Sequence, residues 1–325
     1  MATRTVKSSG GDYTSLSAWE AGRQADLTGL GPEIAECSTA LADTTAVVVD
    51  GWTTTAADYI EIKAVDGSWA SPLWSTSKYR LSLSSGALQV NEHYTRVRGL
   101  QIEQSSLSDI AGCVSNGNVS GGLLFDSCHC RAAAGGTHLG VAINVHSNGL
   151  NIAASVVVNC LAIGNWGNDG FGGNIFVRAE LAIDLVSVYN CTTYGGRRSI
   201  RLRAGRADSD VVAKNNLFIG ATSTYHDSVG TGVNNAFDAS TKGGTDTGAI
   251  DLTATADAAI FTDQPSGDYS LVTASAAKDV GVNLSADSAY AFSVDIDAQA
   301  RVAPWDVGAD EIVVLAGFSL AWFRA

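Results

Sequence analysis

The chain has 325 residues, of which 46% are hydrophobic and 16% charged, so it can bury a large core and is not intrinsically disordered. Its formal net charge of −13 argues against a nucleic-acid-binding protein, because neutralising phosphates requires clustered Lys and Arg. Thirty-five glycines against four prolines, with many Ser, Thr, Val and Asn residues, favour short strands joined by tight bends. We therefore expect an all-β protein.

The N-terminal residues predict a short helix. Within residues 13–27 (YTSLSAWEAGRQADL), Ser17 and Glu20 stand at the spacing of a capping box. Residues 1–30 are expected to form a cap, because the first coil of a stacked sheet structure exposes an unpaired edge and an apolar cross-section. Neither a secretory signal nor a run of about 18 apolar residues is present, so we expect synthesis in the cytoplasm and no membrane partner.

Residues 31–230 are expected to form the coils of a parallel β-helix, because a loose internal repeat lies in the middle of the chain. Each copy has a short β-branched run, then Asn, then Cys or Asn, then a second short run that ends at Gly or Asn. The copies are 155–165 (SVVVNCLAIGN), 185–196 (LVSVYNCTTYGG) and 210–220 (DVVAKNNLFIG), aligned on Asn159, Asn190 and Asn215. An earlier copy places Ser127 and Cys128 at the same positions, and the period of about 25 to 32 residues fits one coil of a parallel β-helix.

The repeat predicts stacked bends and an inward row of thiols. Asn tolerates left-handed backbone angles, and its amide can bond to the Asn of the next coil, so a ladder of asparagines is expected. The cysteines that follow the bends, Cys128, Cys160 and Cys191, should point inward as small hydrophobic side chains. We favour reduced structural thiols over metal or redox chemistry, because His129 is the only soft ligand nearby.

The pattern of short strands thins after residue 230. Residues 231–311 are expected to form loop-rich C-terminal coils, and residues 312–325 (IVVLAGFSLAWFRA) an apolar tail. In an extended tail, large side chains share one face, which is a strand pattern. Two interpretations stay open: the tail covers the last coil, or Phe318, Trp322 and Phe323 contact a partner chain.

Two further segments offer candidate binding residues. RRSIRLRAGR (197–206) places Arg201 and Arg203 on the outer face of one strand, where they either bind an acidic partner or form a solvated surface. Trp166 lies in a glycine-rich stretch, GNWGNDGFGGN (164–174), which is typical of a structural turn and alternatively presents a tryptophan for stacking on a sugar ring.

No catalytic residue, metal or cofactor can be assigned from the sequence. The five histidines lie on separate segments without metal-ligand spacing. Neither a GxSxG elbow nor a phosphate-binding loop occurs. Active sites that assemble across coils escape such linear scans, so enzymatic activity stays an alternative.

Three stretches carry a resemblance to a known family. They are the opening VKSSGGDYTSLSAWEA, the coil motifs, and the closing pair GDYSLVTASAAKDVGVN (267–283) and DIDAQARVAPWDVGADEI (295–312). Together they resemble the pectin-lyase-like right-handed parallel β-helix proteins. The closing motif has Asp295, Asp297, Arg301, Asp306, Gly308 and Glu311 at the expected places. Lys278 departs from the apolar residue usual before the Asp.

The resemblance implies a fold and a role in a phage particle. The fold is a single-stranded right-handed parallel β-helix with a short N-terminal capping helix and an irregular C-terminal region. The opening is similar to uncharacterised proteins of tailed phages and prophages, which implies a virion structural protein, a head decoration or fibre-like component. Its partners are then other virion proteins or symmetry-related copies. The alternative is a tailspike-type polysaccharide lyase or hydrolase acting on an acidic glycan.

Overall fold

The computed structural model is mostly β-strand with few helical residues. It describes residues 1–105, 114–116, 121–132, 141–147, 154–164, 173–179, 186–196, 198–202, 211–222, 231–238 and 246–312. In this described part of the chain, the strands form three parallel sheets and one small antiparallel hairpin. No helix among these residues is long and apolar enough to cross a bilayer.

The three parallel sheets contain strands from along most of the chain, and neighbouring strands in each sheet are hydrogen-bonded. The first sheet contains, in spatial order, β1 (Ala2–Val6), β2 (Glu33–Cys37), β5 (Ile60–Ala64), β8 (Thr95–Arg98), β11 (Leu124–Asp126), β14 (Ser155–Val158), β17 (Val186–Tyr189), β20 (Val211–Lys214), β22 (Thr231–Val233) and β24 (Asp246–Thr247). The second sheet contains β4 (Val47–Val49), β7 (Leu88–Val90), β10 (Val114–Asn116), β13 (Val141–Ser147), β16 (Gly173–Ala179) and β19 (Ile200–Leu202). The third sheet contains β3 (Ala42–Asp43), β6 (Arg80–Leu83), β9 (Gln101–Gln104), β12 (His129–Ala132), β15 (Leu161–Ile163), β18 (Thr192–Tyr194), β21 (Leu217–Ile219), β23 (Ala236–Phe237) and β25 (Ile250–Asp251).

The chain visits the three sheets in rotation. From β2 to β19 it passes from the first sheet to the third, then to the second, and back to the first. Each strand therefore pairs in parallel with the strand three places earlier and the strand three places later over most of the chain. This order is compatible with the predicted parallel β-helix, in which one coil stacks on the next.

The core lies between the sheets and consists of stacked like residues. In the first sheet, one inward row pairs in register from strand to strand and is fully or almost fully buried. The row is Ile62, Val97, Phe125, Val157, Val188 and Ala213. Burying each large apolar side chain is worth about 1.5 to 3 kcal/mol, and a single coil could not bury this row alone.

The bends between first-sheet and third-sheet strands repeat one backbone conformation. In the five bends from β11–β12 to β22–β23, the bend residues have φ between 46° and 55°, and they are Ser127, Asn159, Asn190, Asn215 and Asn234. The residue after each bend is fully buried: Cys128, Cys160, Cys191, Asn216 and Asn235. These positions confirm the predicted alignment of the repeats and the inward burial of the three cysteines. The five cysteines within the described residues are free thiols, and Cys113 lies outside those residues.

The N-terminal region contains the helix α1 (Leu16–Arg23). Its N-cap is Ser15, whose side chain accepts a hydrogen bond from the Ala18 amide. The capping box predicted at Ser17 and Glu20 is therefore wrong, because the helix begins two residues earlier than that pattern requires. Glu20 instead accepts hydrogen bonds from the Trp52 indole and the Gln24 amide, which joins α1 to the first coils.

The C-terminal segment, residues 252–312, packs on the outer faces of the first and third sheets. It contains the antiparallel hairpin β26 (Phe261–Asp263) and β27 (Asp268–Leu271). Apolar residues of this segment cover outward residues of the third sheet such as Leu161 and Leu217. Leu284 and Trp305 cover Val156, Val158 and Tyr189 of the first sheet. Strands buried on both faces explain the continuous apolar runs in the repeats, such as SVVV in β14.

Candidate functional site

Most residues singled out from the sequence as binding candidates lie outside the described residues. They are Trp166, Arg203, Phe318, Trp322 and Phe323. Arg201 lies in β19, where its backbone pairs with Phe176 of β16, and its side chain is likewise outside the described part of the chain. The partner-binding and glycan-stacking hypotheses for these residues therefore stay predictions.

Side chains of the bends hold the C-terminal segment in place. Four asparagine amides donate hydrogen bonds to main-chain carbonyls of the segment. The pairs are Asn159 to Val294 (2.9 Å), Asn190 to Asp306 and Gly308 (3.1 and 3.2 Å), Asn215 to Val282 (2.7 Å) and Asn234 to Val280 (2.9 Å). Of the amide-to-amide ladder expected along the bends, the described residues contain one link at the left-handed positions, from Asn215 Nδ2 to Asn190 Oδ1 at 3.2 Å, and one at the following position, from Asn216 Nδ2 to Asn235 Oδ1 at 2.8 Å. The asparagines mainly join the coils to the segment that covers them.

Arg301 is the centre of a buried polar network in the segment. Its Nη1 lies 3.1 Å from Glu311 Oε2, and both side chains are buried. Its Nη2 donates to Asn159 Oδ1 at 2.9 Å and to the carbonyls of Gly308 and Ala309 at 3.0 Å. A buried guanidinium is tolerated where a carboxylate and several acceptors surround it, as they do around Arg301.

The acidic residues of the closing motif bond to main-chain amides. Asp295 accepts from the amides of Asp297, Gln299 and Glu311. Asp306 accepts from the amides of Asp279 and Ile312. Such carboxylates fix tight turns by satisfying buried N–H groups. The motif that carries the family resemblance thus shapes the segment and attaches it to the coils.

Three carboxylates of this region stand close together. Oxygens of Asp295, Asp297 and Asp310 lie within 4.8 Å of one another. Burial, then the hydrogen bond and charge of Asp297, raise the pKa of Asp295 to about 8. Burial raises the pKa of Asp310 to about 7. Carboxylate oxygens at this spacing match the ligands of a hard divalent cation such as Ca²⁺. In the absence of a cation, the raised pKa values mean that Asp295 and Asp310 hold protons more tightly than ordinary aspartates.

An open cleft of about 310 Å³ lies on the outer face of the first sheet. Strand residues Arg96, Arg98, Leu124 and Val156 form its base, and Tyr290 of the C-terminal segment forms one wall. Of the remaining lining residues, Gly122, Ala154 and Ala289 are small, and Leu123 adds apolar surface. The small residues leave the space, while the two arginines and the tyrosine supply its polar groups.

The two arginines of the cleft have different surroundings. Arg98 binds Asp126 at 3.0 Å and Glu61 at 3.5 Å, so that it links three neighbouring strands of the first sheet. The Arg96 guanidinium lies over the Tyr59 ring, 3.5 Å from its centroid. Within the described part of the chain, Arg96 has no ion pair and its side chain makes no hydrogen bond. Arg98 is thus a structural cation, whereas Arg96 keeps free donors.

Sequence reasoning missed this cleft for a physical reason. Arg96 and Arg98 alternate within TRVRGLQIE (95–103), a pattern that also describes an ordinary solvated strand face. Tyr290 is almost two hundred residues away in a segment without a repeat. Only the folded position of the segment brings the tyrosine to the arginines.

No protein-family model matches the chain. No curated protein matches its sequence.

Proposed function

We propose that this chain is an assembly protein of a tailed-phage particle, a head decoration or fibre-like component that acts by binding rather than catalysis. Its body would be a right-handed parallel β-helix. The rotation of the chain through three parallel sheets supports a coiled body. The resemblance of the opening VKSSGGDYTSLSAWEA to phage and prophage proteins supports the setting. Its partners would be other virion proteins or further copies of the chain.

The position of α1 supports its role as an end cap. The helix packs against β1, β2 and β4. β1 and β4 are the terminal strands of the first and second sheets, so α1 lies beside the end at which these sheets begin. A helix there keeps the apolar cross-section of the first coil away from water and from other sheet edges.

The observation that carries the non-catalytic assignment is the structural use of the charged groups at the bends and beside the open cleft. Arg301, which pairs with Glu311 inside the C-terminal segment, joins that segment to the bend at Asn159. Glu61 and Asp126, the carboxylates beside the open cleft, are both bound to Arg98. A hydrolase needs two carboxylates free to act on a glycosidic bond, whereas these two tie neighbouring strands together. Carboxylates paired in this way stabilise the sheet and are not available for acid–base catalysis.

The proposal is tested on purified phage particles. Mass spectrometry of particles from a lysogen or phage that encodes this chain should detect it at a fixed ratio to the major capsid protein. In parallel, the purified chain is incubated with a panel of acidic polysaccharides, and reducing ends and unsaturated products are measured. Absence from particles would contradict the virion assignment, and turnover of any glycan would favour the tailspike-type lyase or hydrolase instead.

The apolar tail provides a second test of assembly. Deleting residues 313–325 removes Phe318, Trp322 and Phe323 while keeping Ile312, which packs against the segment. If the tail binds a partner, the deletion should lower the mass measured by light scattering, or reduce retention on particles, without changing the melting temperature. A large fall in melting temperature with unchanged assembly would show that the tail covers the last coil.

A further inference from the structure

The cleft on the first sheet contains polar groups whose hydrogen-bonding capacity is unused. Stacking on Tyr59 covers one face of the Arg96 guanidinium and leaves its N–H edge available. Tyr290 lines the same cleft, and its hydroxyl donates no hydrogen bond within the described residues. Burial raises the pKa of Tyr290 to about 12, so the hydroxyl keeps its proton and stays a donor. Two donors from separate parts of the chain therefore line one space.

The size and walls of the cleft restrict what can occupy it. A volume of about 310 Å³ is at the lower end of the range for small-molecule sites. Leu124, Val156 and Ala154 present apolar surface on the side of the strands. A ligand with a short apolar body and one polar end can use both the walls and the donors.

The local charges select a singly charged anion. Arg98 is neutralised by Asp126 and Glu61, and these three groups together carry a net charge of −1. Glu61 also pairs in register with Arg96 on the adjacent strand. The added charge of Arg96 makes the group of four neutral, and the chain as a whole carries −13. A polyanion would be repelled, whereas one carboxylate can bond to the Arg96 edge at short range.

We propose that this cleft binds a small organic monocarboxylate, with the carboxylate held by Arg96 and Tyr290 and the apolar body placed against Leu124 and Val156. The planar guanidinium edge matches a carboxylate with two parallel N–H···O bonds. Stacking on Tyr59 fixes the plane of the guanidinium before the ligand arrives, which lowers the entropy cost of binding.

Ligand-observed NMR and calorimetry with defined probes test the site. Benzoate and cyclohexanecarboxylate are titrated into the full chain, with benzamide as the neutral match and inorganic phosphate as a competing anion. We expect saturable binding of the two carboxylates, none of benzamide, and no displacement by phosphate at equal concentration. Arg96→Gln should weaken binding by at least about ten-fold, the loss of a charge-assisted pair, and Tyr290→Phe by about three-fold or more.

Matched variants distinguish a local site from general charge. Arg80→Gln removes the same charge from a residue of the third sheet whose guanidinium bonds to the Thr76 carbonyl, so it should bind benzoate like the unmodified chain. Arg96→Lys keeps the positive charge but loses the planar edge with two parallel N–H donors, so this variant should bind benzoate several-fold more weakly. Melting temperatures verify that each variant folds. Equal binding of benzamide, displacement by phosphate, or unchanged affinity in Arg96→Gln and Arg96→Lys would overturn the proposal.

Discussion

The attachment of the C-terminal segment to the bends can be tested at Asn190. This residue has φ 46°, donates to the carbonyls of Asp306 and Gly308, and accepts from the Asn215 amide. Asn190→Gly removes all three hydrogen bonds and keeps a residue that adopts left-handed angles freely. Asn190→Ala removes the same bonds and adds a Cβ that disfavours this backbone conformation.

The expected cost follows from these contacts. Three buried hydrogen bonds at about 0.5 to 1.5 kcal/mol each give roughly 2 to 3 kcal/mol, allowing for their length of 3.1 to 3.2 Å. Glycine adds about 0.5 to 1 kcal/mol through the entropy of the unfolded chain. Alanine instead carries a left-handed strain of about 1 to 2 kcal/mol. We therefore expect Asn190→Gly to lower the free energy of unfolding by about 3 kcal/mol, and Asn190→Ala by about 0.5 to 1 kcal/mol more.

Urea denaturation followed by circular dichroism measures the stability, and limited proteolysis measures release of the segment. Both Asn190 variants should unfold at lower urea, and residues 252–312 should be cleaved faster. Asn283→Gly is the matched control. Asn283 lies in the C-terminal segment, and its side chain only accepts a hydrogen bond from the nearby Ser285 amide. A midpoint for Asn190→Gly no lower than that for Asn283→Gly would refute the reasoning.

Two further predictions concern buried groups. The folded pKa of Asp310, about 7, exceeds an unfolded value of about 3.9, so its contribution to stability falls as pH rises from about 4 to 7. The Asp310→Asn side chain stays neutral at every pH and can still accept a hydrogen bond from the Leu271 amide. Between pH 4 and 7, the unfolding free energy of the Asp310→Asn variant should therefore depend less on pH than that of Asp263→Asn, the control at an exposed aspartate. Equal pH slopes for the two variants would contradict this prediction. Cys160→Ser should lower stability by about 1 to 3 kcal/mol, because the shorter C–O bond draws the hydroxyl away from the Phe125 and Val158 carbonyls that the thiol contacts at 3.5 and 3.3 Å. An unchanged melting temperature would show that the inward row contributes little.

The repeated bends between parallel strands were predictable from sequence because each imposes a local requirement. A left-handed backbone angle at one position selects Asn, and the buried position after it selects a small side chain. These requirements repeat at each of these passages from the first sheet to the third, so Asn159, Asn190 and Asn215 align by residue type alone. The helix was harder to place, since Ser15 and Ser17 both precede a run suited to helix. Only the observed bond from the Ala18 amide decides between them.

The site was less predictable, because its parts meet through long-range packing. The closing motif could be recognised from Asp295 to Glu311, but not the partner of its arginine. Asn159, which accepts from Arg301, lies 142 positions away. The cleft likewise joins Arg96 to Tyr290 across most of the chain. A periodic sequence pattern predicts contacts between repeats, but it does not predict which residues of the C-terminal segment contact them.

The segment and the coils explain a feature of composition that neither explains alone. Charged residues are only 16% of the chain, although a stacked β structure of this size would ordinarily present polar outer faces to water. The C-terminal segment removes that need where it covers outward apolar residues such as Val158 and Leu217. Those residues would form an exposed apolar patch if the segment were detached. The bonds at the bends therefore do more than position a loop: they keep the outer apolar rows covered, and this dependence makes the segment part of the fold rather than an attachment to it.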